Sequence, residues 1–127
     1  MTNMNAILLI AHGSRRAEAN ADVNHLADRI RERGVYPCVE TAYLELAEPN
    51  IETGGVRCVE HGATNVTLLP YFLSPGVHVR EDLIEARDIL AKRFPMVTFR
   101  LAEPLGRHPL LIDIVEQRAQ ECEGKMV

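Results

Sequence analysis

The chain has 127 residues, 46% of them hydrophobic and 25% charged, with a formal net charge of −4. That length suits one domain with a self-sufficient core, and the composition is that of an ordinary water-soluble globular chain. The negative balance excludes a molecule built as a whole to lie on nucleic acid, and the apolar runs are too short to cross a bilayer.

Residues 6–11, AILLIA, form a short continuous apolar run, as expected of a strand buried on both faces. The period then changes. Over residues 16–33, Ala19, Val23, Leu26, Ala27 and Ile30 fall at helical spacing, and Gly34 and Pro37 end the helix. Residues 38–44, CVETAYL, are β-rich and predict a second strand. A second helix is predicted over 49–62, opened by Pro49 and closed by Gly62, although Gly54 and Gly55 weaken it by roughly 1 kcal/mol each against alanine. Residues 65–70, NVTLLP, predict a third strand, and 71–79 a loop bending at Pro75 and Gly76. The third helix is expected over 80–94, with Leu83, Ala86, Leu90 and Phe94 on one face. A fourth strand, 96–101, follows Pro95, and a last helix, 108–122, turns Leu111, Ile114, Val115, Ala119 and Cys122 inward.

Strict β-α alternation with short connections predicts an α/β three-layer sandwich around a four-stranded parallel sheet, wound as in flavodoxins. No repeat or linker divides it, so residues 1–127 are expected to be one domain. Cys38, Cys58 and Cys122 are odd in number, form no CxxC pair and follow no secretory leader, which predicts reduced thiols in a cytoplasmic protein.

Four such strands order most simply as 2-1-3-4, which makes the first and third neighbours at the switch point. Ligands of open α/β sheets bind there, beyond the carboxyl ends of the strands. His12 leaves the first strand in AHGS, and His78 lies in the loop after the third. The topology therefore brings both histidines to one crevice. Glu45, beyond the second strand, reaches the same rim, and Glu103, Arg107 and His108 lie further along it. Two imidazoles and a carboxylate suit a borderline divalent transition metal, with coordination positions left open for chemistry. Arg15, Arg16, Arg80 and Arg107 also fall near the rim, where guanidinium groups suit planar carboxylates. His25 and His61 read as exposed or capping residues. A phosphohistidine role for His12 is disfavoured because Ala11, not arginine, precedes it, and a nucleotide-binding flavodoxin-like protein is disfavoured because no glycine-rich phosphate loop follows any strand.

The stretches LLIAHGSR, YLELAEP, GATNVTLLPYFLSPGVHVREDL and AEPLGRHPLL together resemble the class II chelatases of the CbiX and SirB type. The similarity runs collinearly from about residue 6 to residue 118, and the segment from Pro70 through Phe72, Leu73, Gly76 and His78 to Asp82 is its most specific part. The resemblance implies a chelatase-like fold and ATP-independent insertion of a divalent ion into sirohydrochlorin, a tetrapyrrole with carboxylate arms, in cobalamin or sirohaem biosynthesis. It implies Co²⁺ as the favoured metal, with Fe²⁺ or Ni²⁺ as alternatives and no other cofactor. By the same resemblance His12 and His78 match the two metal-site histidines, and Glu45 a carboxylate implicated at the metal in some members; either imidazole could then serve catalysis by taking a pyrrole proton. Ser14, Arg15, Arg16, Tyr71, Phe72, Leu73, Gly76, Arg80, Arg107 and His108 are then expected to line the macrocycle, with Gly13 and Gly76 letting the backbone approach closely. Short members pair as homodimers, so a symmetric dimer is expected. A non-catalytic tetrapyrrole or metal carrier on the same fold is the remaining alternative.

Overall fold

A computed structural model describes residues 3–124. Four strands and four helices alternate along the chain: β1 (Asn5–Ala11), α1 (Ala17–Arg33), β2 (Cys38–Tyr43), α2 (Ile51–Glu60), β3 (Asn65–Pro70), α3 (Val77–Arg93), β4 (Thr98–Leu101) and α4 (Leu110–Cys122). The strands form one parallel sheet in the order β2-β1-β3-β4, as the connection rules predict.

β1 is apolar on both faces because it lies between two helical layers. Leu8 and Ile10 join Leu68, Leu83 and Leu90 in a core under α2 and α3. Ile7 and Leu9 face the other way, onto Val23 and Ala27 of α1. The register that sets Ile7 beside Val39 and Thr67, and Leu9 beside Thr41 and Leu69, places these residues on one sheet face.

Most element ends fall within one or two residues of the sequence expectation, the last helix starting at Leu110 rather than 108, and three starts have a visible cause. The second helix starts at Ile51 rather than 49, because Asn50 caps it by accepting a hydrogen bond from the Thr53 amide at 2.8 Å. The fourth strand starts at Thr98, since Val97 is still held in a turn to Phe94. The third helix begins at Val77, three residues earlier than expected, with Gly76 at its N-cap. His78 therefore stands in the first turn of α3 and not in a loop.

The glycines that weaken α2 on propensity are what lets it dock. A Cβ on Gly54 would lie 2.8 Å from Leu8 Cδ1 and 3.0 Å from Ala42 Cβ, and one on Gly55 would lie 2.6 Å from Leu90 Cδ1. Contact with the sheet and α3 outweighs the propensity cost.

α4 departs furthest from expectation. Leu111 is half-buried, Ile114, Val115, Ala119 and Cys122 are exposed, and the helix buries no side chain. The sheet face that α1 leaves open, carrying Thr67, Leu69 and Arg100 of β3 and β4, is correspondingly only partly covered. The apolar stripe was legible in the sequence; its assignment to this chain's own core was not correct.

Candidate metal and macrocycle site

The carboxyl ends of β1 and β2 are joined beyond the strands themselves. The Leu44 amide donates to the Ala11 carbonyl at 3.0 Å and the Glu45 amide to the His12 carbonyl at 3.1 Å. This continuation sets the two side chains face to face, with His12 Nε2 3.0 Å from Glu45 Oε1.

Gly13 makes that approach possible. Its φ is +102°, and a Cβ there would sit 1.8 Å from the Glu45 carbonyl oxygen. Only glycine fits a backbone that is both left-handed and pressed against its neighbour. The turn is then clamped from α1. The Ser14 amide donates to Asn20 Oδ1 at 2.9 Å, Asn20 Nδ2 returns a bond to the Ser14 carbonyl at 2.7 Å, and the Arg16 amide donates to Ser14 Oγ at 3.1 Å. Asn20 was not singled out from sequence, yet a polar amide near the start of a helix, six residues beyond a turn, is the available signal.

On the other side of His12 the Tyr71 amide donates to the Ile10 carbonyl at 2.7 Å, carrying the chain past β3. Phe72 then meets His12 edge-on, with ring centroids 6.2 Å apart and planes at 80°. Phe72 is half-buried, while Leu73 is exposed beside it. The imidazole thus has a carboxylate on one side and an apolar ring on the other.

His78 is not part of this contact. Its side chain is 97% exposed and its nearest charged neighbour is Glu81, at 4.0 Å on the next turn. Among the described residues no three His, Cys, Asp or Glu side chains are gathered closely enough to hold an ion. The structure brings together His12 and Glu45 and leaves His78 on the same rim, facing solvent.

Gly76 caps α3 with open space where a Cβ would stand, so it relieves no close contact within this chain. The glycine that does serve that role on this side is Gly106, whose Cβ would lie 1.8 Å from the Leu73 carbonyl oxygen. With the Leu105 amide bonded to the Phe72 carbonyl at 2.9 Å, it ties the β4–α4 connection to the segment after β3. Arg15 and Arg16 are exposed beside the clamped turn, and Arg80 lies 3.6 Å from Glu103. His108 stands just before α4, its Nδ1 accepting from the Leu110 amide at 3.1 Å, and lines an apolar groove with Leu105, Leu110, Leu111 and Ile114. His25 is exposed, and His61 closes α2 with Nδ1 at 2.6 Å from the Arg57 carbonyl.

Two thiols lie under the sheet. Burial pushes Cys38 and Cys58 above the ordinary thiol value, Cys58 far above it, whereas Cys122 is exposed.

A family model described as CbiX matches residues 6–122. The chloroplastic sirohydrochlorin ferrochelatase of Arabidopsis thaliana is 40% identical over 116 residues, covering 91% of this chain and 52% of that protein. The cobalt complex of the sirohydrochlorin chelatase SirB from Bacillus subtilis subspecies spizizenii superposes with a TM-score of 0.83 at 30% identity, covering 93% of this chain and 50% of that one. A protein of Marinobacter aquaeolei VT8, described in connection with cobalamin biosynthesis, superposes with a TM-score of 0.79 at 34% identity over 92% of this chain and 95% of its own. The chain spans about half the length of several curated relatives, the Arabidopsis thaliana protein among them.

Proposed function

Since the chain belongs to the CbiX family, we propose that it is a cytoplasmic, ATP-independent chelatase that inserts a divalent metal, Co²⁺ in preference to Fe²⁺ or Ni²⁺, into sirohydrochlorin. The observation that carries this reading is the His12–Glu45 pair at the sheet's switch-point rim.

Nε2 of His12 and Oε1 of Glu45 are in hydrogen-bond contact, so one proton lies between two atoms that are both good ligands for a borderline cation. A hydrated divalent ion displaces that proton and sheds water as it takes the imidazole and the carboxylate. His78 reaches in from the first turn of α3 as a third ligand; its exposure leaves its rotamer free to do so. Three protein ligands leave positions open, which transfer to a macrocycle requires.

Insertion exchanges two pyrrole N–H protons for one M²⁺. As the ion leaves for the ring nitrogens, the freed His12–Glu45 pair takes up one pyrrole proton, an imidazole being suited to this near neutrality, and the second passes to solvent water. Phe72, Leu73 and Tyr71 offer the ring an apolar surface. Ser14 and Gly76 lie at the turns on either side, while Arg15, Arg16, Arg80 and Arg107 face the carboxylate arms, with His108 at the outer edge.

The working unit in this reading is a homodimer. A helix of only 13 residues that buries no side chain lacks the packing that sustains short helices in water. Leu110, Ile112, Ile114 and Val115 form an apolar patch that calls for cover. The open β3–β4 face supplies a complementary surface, with Arg100 opposite in charge to Asp113 and Glu116 of α4. A second copy, exchanging α4 for α4 across a two-fold axis, covers both. Among the described residues no helix is long and apolar enough to cross a membrane.

The test is anaerobic. Purified protein is mixed with sirohydrochlorin and limiting Co²⁺, Fe²⁺ or Ni²⁺ in parallel, and the visible spectrum is followed against a protein-free control. Many turnovers, lost in His12→Ala, support a chelatase and rank its metals. Tight macrocycle binding without turnover makes the protein a carrier, and neither binding nor metallation overturns the substrate.

A further inference from the structure

One strand further along the rim from His12, between the ends of β3 and β4, lies a cavity of about 220 Å³. Its apolar walls include Pro70, Leu83 and Leu101, and its charged groups are Arg80, Arg87 and Glu103. A second cavity of about 300 Å³ adjoins it through Arg80 and Glu103 and extends to Arg107. Arg107 has φ of +66°, a left-handed conformation that a residue with a Cβ adopts at a cost, and such strain persists where the surroundings hold it. Here Gly106, pressed on the Leu73 carbonyl, holds it.

Three guanidinium groups thus line one continuous cleft that contains a single carboxylate, Glu103. Glu103 is 3.6 Å from Arg80, too long for a close bidentate pair, and its side chain is 82% exposed. Arg87 spends its Nε on the adjacent Asp88 at 2.8 Å, which leaves its terminal nitrogens for another acceptor. A planar anion on a short apolar stem fits this combination, with methylene groups against proline and leucine and the charge between guanidinium forks.

We propose that this cleft is a subsite for one carboxylate arm of the macrocycle, with Arg87 and Arg80 as its ligands and Glu103 as a built-in anion that the arm displaces. The inference rests on the chelatase reading, because it takes its ligand from the substrate class proposed there. In the free protein Glu103 neutralises Arg80 and keeps the cleft from holding stray anions. When the arm enters, Glu103 moves to solvent, which its exposure makes easy. Arg87 and Glu103 thereby become specificity residues that act on binding and not on proton transfer.

The test is a fluorescence titration of metal-free uroporphyrin, an octacarboxylate porphyrin, with the wild-type protein, Arg87→Ala, Arg87→Lys and Glu103→Gln, each checked for an unchanged thermal melt. Loss of a charge-assisted fork raises Kd about tenfold in Arg87→Ala, with Arg87→Lys in between. Glu103→Gln lowers Kd severalfold, and a gain in binding cannot come from misfolding. If the wild type binds and every variant stays within twofold of it, the subsite is overturned while the chelatase reading stands. If the wild type does not bind the porphyrin, the chelatase reading fails at recognition and the subsite fails with it.

Discussion

Gly13 shows how much of the site rests on one backbone atom. Adding a Cβ there forces the Glu45 carbonyl away and opposes a φ of +102°. Gly13→Ala is expected to lower stability by about 1–3 kcal/mol and to separate His12 from Glu45, read as a lower melting temperature together with loss of metal insertion. Side-chain changes at the pair have a different signature. His12→Ala and Glu45→Gln should abolish insertion with the melt nearly unchanged, since both side chains are 57% exposed and neither belongs to the core. His78→Ala should do the same if the third ligand arrives from α3; full activity in that variant would remove His78 from the metal site. The buried thiols give a further contrast. With a thiol-reactive dye, Cys122 is expected to react at once, and Cys38 and Cys58 only on unfolding. Because Cys58 is pushed up in the folded state, the folded chain retains a proton that the unfolded chain loses above the ordinary thiol value of about 8.5, so stability falls as pH rises past that point. A flat melting temperature through that range would contradict the burial.

At the level of elements, α2 and α3 show where propensity and packing part. Gly54 and Gly55 look like faults in a helix, yet each marks a point where α2 lies too close to its neighbours for a side chain. Gly54→Ala and Gly55→Ala should each destabilise the protein by about 1–3 kcal/mol through overpacking, even though alanine is the better helix former. Chemical denaturation measures this directly; a stabilised variant would mean that Leu8 or Leu90 can repack. The start of α3 differs from the sequence expectation for a related reason. Pro75 and Gly76 read as a bend, and the bend is present, but Gly76 serves as the cap that launches the helix one residue later. Local punctuation marks a boundary without saying on which side of it the helix begins.

For the whole molecule, the deciding element is α4. Its exposed apolar patch and the half-open sheet face are two surfaces that a single copy leaves uncovered. Ile114→Glu, with Val115→Glu as a second probe, is expected to convert a dimer to monomers in light scattering coupled to size exclusion. A wild-type protein that is monomeric at micromolar concentration would remove the second copy from the reading.

The alternation of strands and helices, the strand order and the placement of His12, Glu45 and the rim arginines at the carboxyl ends of the strands are all legible in the order of the amino acids. Those follow from period and connection length, which are local properties, and from chirality rules that leave few topologies open. Which of those residues touch is a matter of how the segments pack in three dimensions. The His12–Glu45 contact depends on Gly13 passing under the Glu45 carbonyl, His78 stands apart because α3 starts early, and α4 turns from its own sheet. Each of these is set by distances between segments far apart in the chain, and such distances leave no period in the sequence to read.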